Sequence, residues 1–237
     1  MNVETVNLSK TYRRQGRAVQ AVRHACIRIG PGETVGLWGQ SGSGKSTLAR
    51  MICGLETPTE GELRFDGQAV RRPFSKELWR KVQTIFQHPE VSFNPRLTLE
   101  TSLLEPYVCH HIPVTRESLL ASMSPYGLYA EHLKRYPSEL SGGELQRAAI
   151  VRALTLKPEF MVLDEPTSML DSISRAQMMR LFARIQRDSG TSFLLISHSR
   201  AVVSAFCHRV YQVDDGNVVL MEGLYENTGR YPETNGR

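Results

Sequence analysis

Gly39-Gln40-Ser41-Gly42-Ser43-Gly44-Lys45-Ser46 sets three glycines at a spacing that lets bare backbone N–H groups close around a phosphate, with a lysine directly behind them. Gly39, Gly42 and Gly44 allow close approach to a β-phosphate, and the helix expected to follow adds its positive N-terminal end. Gln40, Ser41 and Ser43 complete the loop around a nucleoside triphosphate. Lys45 is expected to reach the β- and γ-phosphates, the Ser46 hydroxyl to coordinate Mg²⁺, and Thr47 to hold the α-phosphate.

A second glycine motif, Leu140-Ser141-Gly142-Gly143-Glu144-Leu145-Gln146-Arg147, lies far down the same chain. A hydroxyl, bare amides and the start of a helix make a second, spatially separate phosphate site, so one chain carries two half-sites. A third element is the apolar run Phe160-Met-Val-Leu163 followed by Asp164 and Glu165. Two carboxylates where a parallel strand ends stand at a usual ligand position. Asp164 is placed to hold Mg²⁺, and Glu165 to orient and deprotonate the water that attacks a γ-phosphate.

These groups need a scaffold of strands and helices. Thr34 to Trp38 reads as a strand feeding the glycine loop, and Ser46 to Cys53 as the helix after it. Val82 to Phe86, Phe160 to Leu163 and Phe193 to Ile196 read as buried strands of a parallel sheet with helices between them. Val3 to Leu8, Ala21 to Ile29 and Glu62 to Phe65 suggest an antiparallel entry region. The proline-punctuated stretch from Ser92 to Leu140 reads as a helical insertion, with helical segments at Leu99 to Leu104 and Arg116 to Met123. Stronger helices are expected over Glu144 to Thr155 and over Ile173 to Ser189, the latter capped by Asp171 or Ser172 and ended by Gly190. The polar end, Tyr225 to Arg237, is expected to fray.

With 237 residues, 41% hydrophobic and 22% charged, the composition is that of one α/β domain. The formal charge of +5 is spread along the chain, so no nucleic-acid partner is expected. Cys26, Cys53, Cys109 and Cys207 form no C-x-x-C pair, which argues against a zinc site or disulfide framework and for reduced thiols. No signal segment or apolar run of membrane-spanning length is present, so any membrane role is peripheral.

Together, the phosphate loop, the Leu140 to Arg147 signature and the Asp164-Glu165 pair resemble the ATP-binding, ATP-hydrolysing subunits of ABC transporters across nearly the whole chain. The resemblance implies a P-loop α/β fold of ABC ATPase type: a parallel core sheet, an antiparallel β subdomain and a helical subdomain. Residues 1–90 and 156–224 would form the catalytic core with the antiparallel region, 91–155 the helical subdomain with the signature, and 225–237 a flexible tail. It implies a head-to-tail pair with ATP between the phosphate loop of one subunit and Ser141, Gly142, Gly143 and Glu144 of the other. By the same resemblance Tyr12 stacks on adenine, and Gln87 senses Mg²⁺ and the attacking water and links the site to membrane subunits. His198 is matched to the histidine that hydrogen-bonds the γ-phosphate, and Asp171 to a loop that crosses the dimer interface. Met169 and Ser199 depart from the family pattern, which usually has a smaller residue and frequently an aspartate there. The departures leave room for an asymmetric heterodimer.

Phe86-Gln87-His88-Pro89-Glu90-Val-Ser-Phe93-Asn94-Pro95-Arg96 resembles the dipeptide, oligopeptide and nickel importer branch of that family. This implies a second ATPase subunit, expected to be a different chain, two membrane permeases and an external substrate-binding protein. It also implies a peripheral place on the cytoplasmic face of the inner membrane. His110-His111 is read as a solvated loop pair, leaving Mg²⁺ as the one metal assigned. An alternative resemblance is to an ABC-type ATPase in a non-transport assembly such as the phosphonate carbon–phosphorus lyase complex. A third is a regulatory module that hardly hydrolyses ATP, which Glu165 and His198 oppose.

Overall fold

The computed structural model describes residues 1–14 and 17–221; the tail expected to fray lies outside the described residues. Its centre is a six-stranded sheet in the order β11-β10-β4-β9-β8-β7. Here β4 is Thr34–Trp38, β7 Val82–Ile85, β8 Phe160–Asp164, β9 Ser192–Ser197, β10 Arg209–Asp214 and β11 Asn217–Leu220. All neighbours run parallel except the β10–β11 edge pair. Parallel strands buried on both faces divide their alternate residues between two cores. Phe160, Val162, Leu194, Ile196, Val35 and Leu37 face one core, and Met161, Leu163, Phe193 and Leu195 face the other.

The first core is closed by an antiparallel sheet and by the helix α1 (Lys45–Ile52). That sheet orders β2 (Arg17–Ala25), β1 (Val3–Arg14), β5 (Glu60–Phe65) and β6 (Gln68–Ala69), with β3 (Arg28–Ile29) also on β1. The expected strand from Ala21 to Ile29 is broken, because β2 and β3 are separate pieces. The buried Thr5 hydroxyl fills the break: it donates to the Ala25 carbonyl at 2.8 Å and accepts from the Ile27 N–H at 2.9 Å. β1 also runs beyond Leu8 to Arg14; its register shifts between Leu8 and Lys10, disturbing the alternation by which a strand is read.

The second core carries α3 (Leu99–Cys109), α4 (Arg116–Met123), α5 (Gly142–Leu154), α6 (Ser172–Ser189) and α7 (Arg200–Phe206). α3 continues past Leu104 because Pro106 is accommodated as a buried residue within it. α5 begins two residues before Glu144, with Ser141 as its cap. α6 starts on Asp171 and ends at Gly190, which adopts the left-handed conformation glycine favours. Elements beyond those expected from the sequence are β6, α2 (Lys76–Lys81), α7, β10 and β11.

Phe182 of α6 is fully buried edge-on to Phe193 of β9, with ring centroids 6.1 Å apart. Phe182→Ala should therefore cost about 3–5 kcal/mol of stability, read as a lower urea midpoint with little change in slope.

Candidate phosphate site

The parallel ladder aligns three strand ends. Trp38 of β4 is paired with Ser197 of β9, and Asp164 of β8 with Ile196, so Gly39, Glu165 and His198 leave the sheet side by side. The Glu165 N–H donates to the Ile196 carbonyl at 3.1 Å. At φ 46° the Glu165 backbone is left-handed, a strained turn for a side chain, costing on the order of 1–3 kcal/mol. It aims the carboxylate at His198, whose Nδ1 lies 3.2 Å from Glu165 Oε2. Both residues line a small cleft with Thr167, Ser168, Arg175 and Ser199.

The phosphate loop is built around Lys45. Its buried ammonium donates to the carbonyls of Gly39 at 2.9 Å and Gln40 at 2.5 Å, and lies 3.4 Å from Ser43 Oγ. Burial pulls the Lys45 pKa down, opposed by the charges of Glu165 and Asp164. Two of the glycines are required by packing inside the chain. A Cβ at Gly39 would sit 2.1 Å from the Val213 carbonyl oxygen, and Gly44 combines φ 109° with a 2.2 Å approach to the Ala21 carbonyl oxygen. The turn between β10 and β11 supports the loop: the Gly216 N–H donates to the Ser43 carbonyl, and the Arg23 N–H to the Gly216 carbonyl. Ser41 and Gln40 are exposed at the loop's rim, and Ser46 and Thr47 lie in the first turn of α1.

Ser46 donates to Asp164 Oδ1 at 3.2 Å. A hydroxyl and a carboxylate at one point form an oxygen donor set suited to a hard divalent cation. Burial, with a further contribution from the Glu165 charge, raises the Asp164 pKa, and a cation there would offset both effects. The residues therefore fit Mg²⁺. Gln87 is half-buried just beyond the C-terminal end of β7, ahead of the 3₁₀ turn Pro89–Ser92.

The signature stands apart from this cluster. Ser141 caps α5: its Oγ accepts the Glu144 N–H at 3.3 Å and donates to Glu144 Oε2 at 2.8 Å, while its own N–H reaches that oxygen at 2.7 Å. The other Glu144 oxygen meets His132 Nε2 at 3.2 Å. Among the described residues, the hydrogen bonds of Ser141 and Glu144 run to α5 and the 129–132 turn, not to the phosphate loop. Among the described residues, apart from its chain neighbours and its own helix backbone, no atom comes within 4 Å of a Cβ added at Gly142, so packing among them does not require glycine there.

Tyr12 lies on β1 opposite Val19, with the Lys10 ammonium 5.1 Å from its ring centroid. The Asp171 carboxylate is engaged in capping α6, accepting from the Ile173 and Ser174 N–H groups and from the Ser174 hydroxyl at 2.6 Å. Met169 is exposed, and Ser199 caps α7 through the Val202 N–H. Serine thus performs the capping an aspartate could perform there. Two neighbours of the site escape the sequence reading. The Trp38 indole N–H donates to the His198 carbonyl at 3.1 Å, and His132 contacts Glu144; each pairing joins residues that no short motif links.

Hydrogen bonds from the Ser141 N–H and hydroxyl, outweighing partial burial, hold the Glu144 pKa down at about 2 against an ordinary 4.5, with His132 adding to the shift. The unfolded chain consequently binds more protons than the native one between these values. The stabilisation is complete above about pH 4.5 and disappears as pH falls through about 2. Urea unfolding of wild type and Glu144→Gln should show a wild-type advantage on the order of 1–3 kcal/mol at pH 7, narrowing below pH ~4.5.

The family model described as "ABC transporter" matches residues 22–168. The oligopeptide transport ATP-binding protein OppF of Streptococcus pyogenes serotype M1 is 38% identical, over 95% of this chain and 77% of its own length. The nickel import ATP-binding protein NikE of Pseudomonas putida is 41% identical, over 81% of this chain and 73% of its own. Among solved structures, the dimeric ATP-binding cassette MJ0796 in a post-hydrolysis state with ADP and Pi superposes with a TM-score of 0.81 at 29% identity, covering 93% of this chain and 99% of that one. With this fold and this cluster at its strand ends, the chain belongs to the ABC transporter family as an ATP-binding, ATP-hydrolysing subunit.

Proposed function

We propose that the chain powers an importer for dipeptides, oligopeptides or nickel and other metal chelates. It would work as one of two ATPase subunits, expected to be different chains, beneath two permeases supplied by an external binding protein. The cargo class rests on the Phe86 to Arg96 segment and on relatives whose names specify oligopeptide transport, glutathione import and nickel import. No helix of the described residues is long and apolar enough to cross a membrane, which suits a peripheral subunit on the cytoplasmic face of the inner membrane. Nothing in the site favours the phosphonate-lyase assembly.

The observation that carries the mechanism is the separation of two anion-ready surfaces. Lys45, Ser46, Asp164, Glu165 and His198 converge at the strand ends, whereas the exposed Gly142 faces open space at the start of α5. We assign the loop from Gly39 to Thr47 to the chain's own ATP, with Tyr12 against adenine, and Ser141 to Glu144 to the ATP of the facing subunit. Ser46, Asp164 and Gln87 would hold Mg²⁺, which when bound neutralises charge on the β- and γ-phosphate oxygens. Glu165 takes a proton from the attacking water as the γ-phosphoryl group leaves ADP. His198 would restrain Glu165 through Nδ1 and hydrogen-bond the γ-phosphate through its other ring nitrogen. Asp171 lies where the two subunits meet. Closure and reopening would reach the permeases through the Gln87 segment and the helical residues 91–155.

Glu165→Gln should lower ATP turnover at least ~100-fold while leaving MgATP bound in a closed pair. Equal turnover by wild type and Glu165→Gln, in a preparation free of contaminating ATPases, would falsify the base assignment. Lys45→Ala should weaken nucleotide binding itself. Mass spectrometry of proteins retained by the tagged chain in mild detergent tests the assembly: two permeases and a second ATPase are expected, and their replacement by soluble phosphonate-metabolism subunits would overturn it.

Trp38→Phe keeps an aromatic ring but removes the N–H that holds the His198 carbonyl. Turnover should fall about two- to fivefold with ATP affinity unchanged, the scale of one hydrogen bond. A matching fall in affinity would place the effect in the phosphate loop instead.

A further inference from the structure

We infer that His132 is a positioning residue for the signature: it ties the Glu144 carboxylate to the side of Ser141 and the 129–132 turn, so that the Gly142 and Gly143 amides remain open to an incoming γ-phosphate. The inference rests on the proposal above that this motif faces the partner subunit's ATP.

His132 is buried, 4% exposed, and both of its ring nitrogens are engaged. Nδ1 lies 2.9 Å from the Tyr129 nitrogen and 3.3 Å from the Tyr129 carbonyl oxygen; the shorter contact, from an N–H that can only donate, makes Nδ1 the acceptor and places the proton of the neutral ring on Nε2. Nε2 then donates to Glu144 Oε1 at 3.2 Å. The His132 ring is thus fixed by the 129–132 turn, and its donor fixes one oxygen of a carboxylate that belongs to the signature helix.

That carboxylate is an anion at a helix N-terminus, the place where the phosphate is proposed to bind. Its second oxygen already takes both the N–H and the hydroxyl of Ser141, at 2.7 and 2.8 Å. With its first oxygen untied, the carboxylate could pivot over the Gly142 and Gly143 amides and compete for the donors that a phosphate needs. Among the described residues, no atom outside its own helix and chain neighbours lies within 4 Å of a Cβ added at Gly142. The tie to His132 holds the negative charge on the side of the 129–132 turn.

Asparagine and glutamine separate the two bonds of the ring. The shorter amide of His132→Asn retains an acceptor near the Nδ1 position for Tyr129 but loses the donor to Glu144, whereas the longer amide of His132→Gln places an N–H near the Nε2 position. In the ATPase assembly recovered through a tag on the full chain, His132→Asn should lower kcat/KM for MgATP about fivefold, the scale of a single net hydrogen bond, and His132→Gln should stay within about twofold of wild type. In a Glu144→Gln background, where no competing charge remains, His132→Asn should cost less than about twofold. Binding of a fluorescent ATP analogue to the isolated chain, which reports its own phosphate loop, should be the same for each variant.

Wild-type turnover by His132→Asn, an equal loss with His132→Gln, or an undiminished loss in the Glu144→Gln background would overturn the inference. Imidazole ¹⁵N shifts of the wild-type chain test it without any variant: protonated Nε2 with unprotonated Nδ1 is expected, and the opposite tautomer rejects the tie. Ser141→Ala with unchanged turnover would point to failure of the phosphate-facing reading rather than of the His132 contact.

Discussion

The parallel pairing of β4, β9 and β8 is the constraint on which the site depends. Its register brings the end of Trp38, the end of Ser197 and the end of Asp164 to one edge. A one-residue slip would exchange the residues of each strand between the two cores, setting Phe160 where Met161 packs, and the mismatch of shapes opposes it. The packing of the apolar runs Phe160 to Leu163 and Phe193 to Ile196 therefore serves more than stability. It fixes which backbone atoms are available to Glu165, whose N–H is held by Ile196, and so where the carboxylate meets His198.

The phosphate loop illustrates how local chemistry depends on distant packing. Its glycine spacing is readable in the sequence, but Gly39 is pressed against Val213 of β10 and Gly44 against Ala21 of β2. The first contact comes from the end of the described chain and the second from its beginning. Lys45 is accommodated because the loop's own carbonyls solvate its ammonium, and the adjacent carboxylates oppose the effect of burial. Backbone held in this way needs little rearrangement to present its N–H groups to an anion.

Four strands of the central sheet, β4, β7, β8 and β9, the helix after the glycine loop and the cap of α6 at Asp171 were legible because apolar runs, glycine and capping residues act over a few positions, whereas β10 and β11 carried no such signal. Legibility ended where tertiary contacts decide. The break between β2 and β3 depends on the Thr5 hydroxyl reaching across to Ala25 and Ile27. Pro106 looks like a helix stop until its buried position within α3 is seen. Trp38 and His198 are 160 residues apart, and only the pairing of β4 with β9 makes the indole a support for the histidine. The residue types in the site could be named from sequence; the contacts that orient them could not.

Glycines in the two motifs answer to different constraints, and the difference bears on why one chain is not a complete machine. At Gly39 and Gly44 a side chain would collide with the protein's own backbone, so the fold alone accounts for the residue. At Gly142 a Cβ would meet no described atom within 4 Å outside its own turn, and the residue lies in the first turn of α5, where alanine would favour the helix. Retaining glycine there sacrifices helix stability without an internal packing return. Under the proposed head-to-tail pairing, close approach by the facing subunit would supply the missing reason, and exposed amides at a helix N-terminus suit an anion. Ser141 differs, because its hydroxyl and backbone N–H are already satisfied by Glu144 within the chain. A phosphate bound there as proposed would compete with that carboxylate, so the signature's readiness would depend on how firmly Glu144 is held as well as on the motif itself.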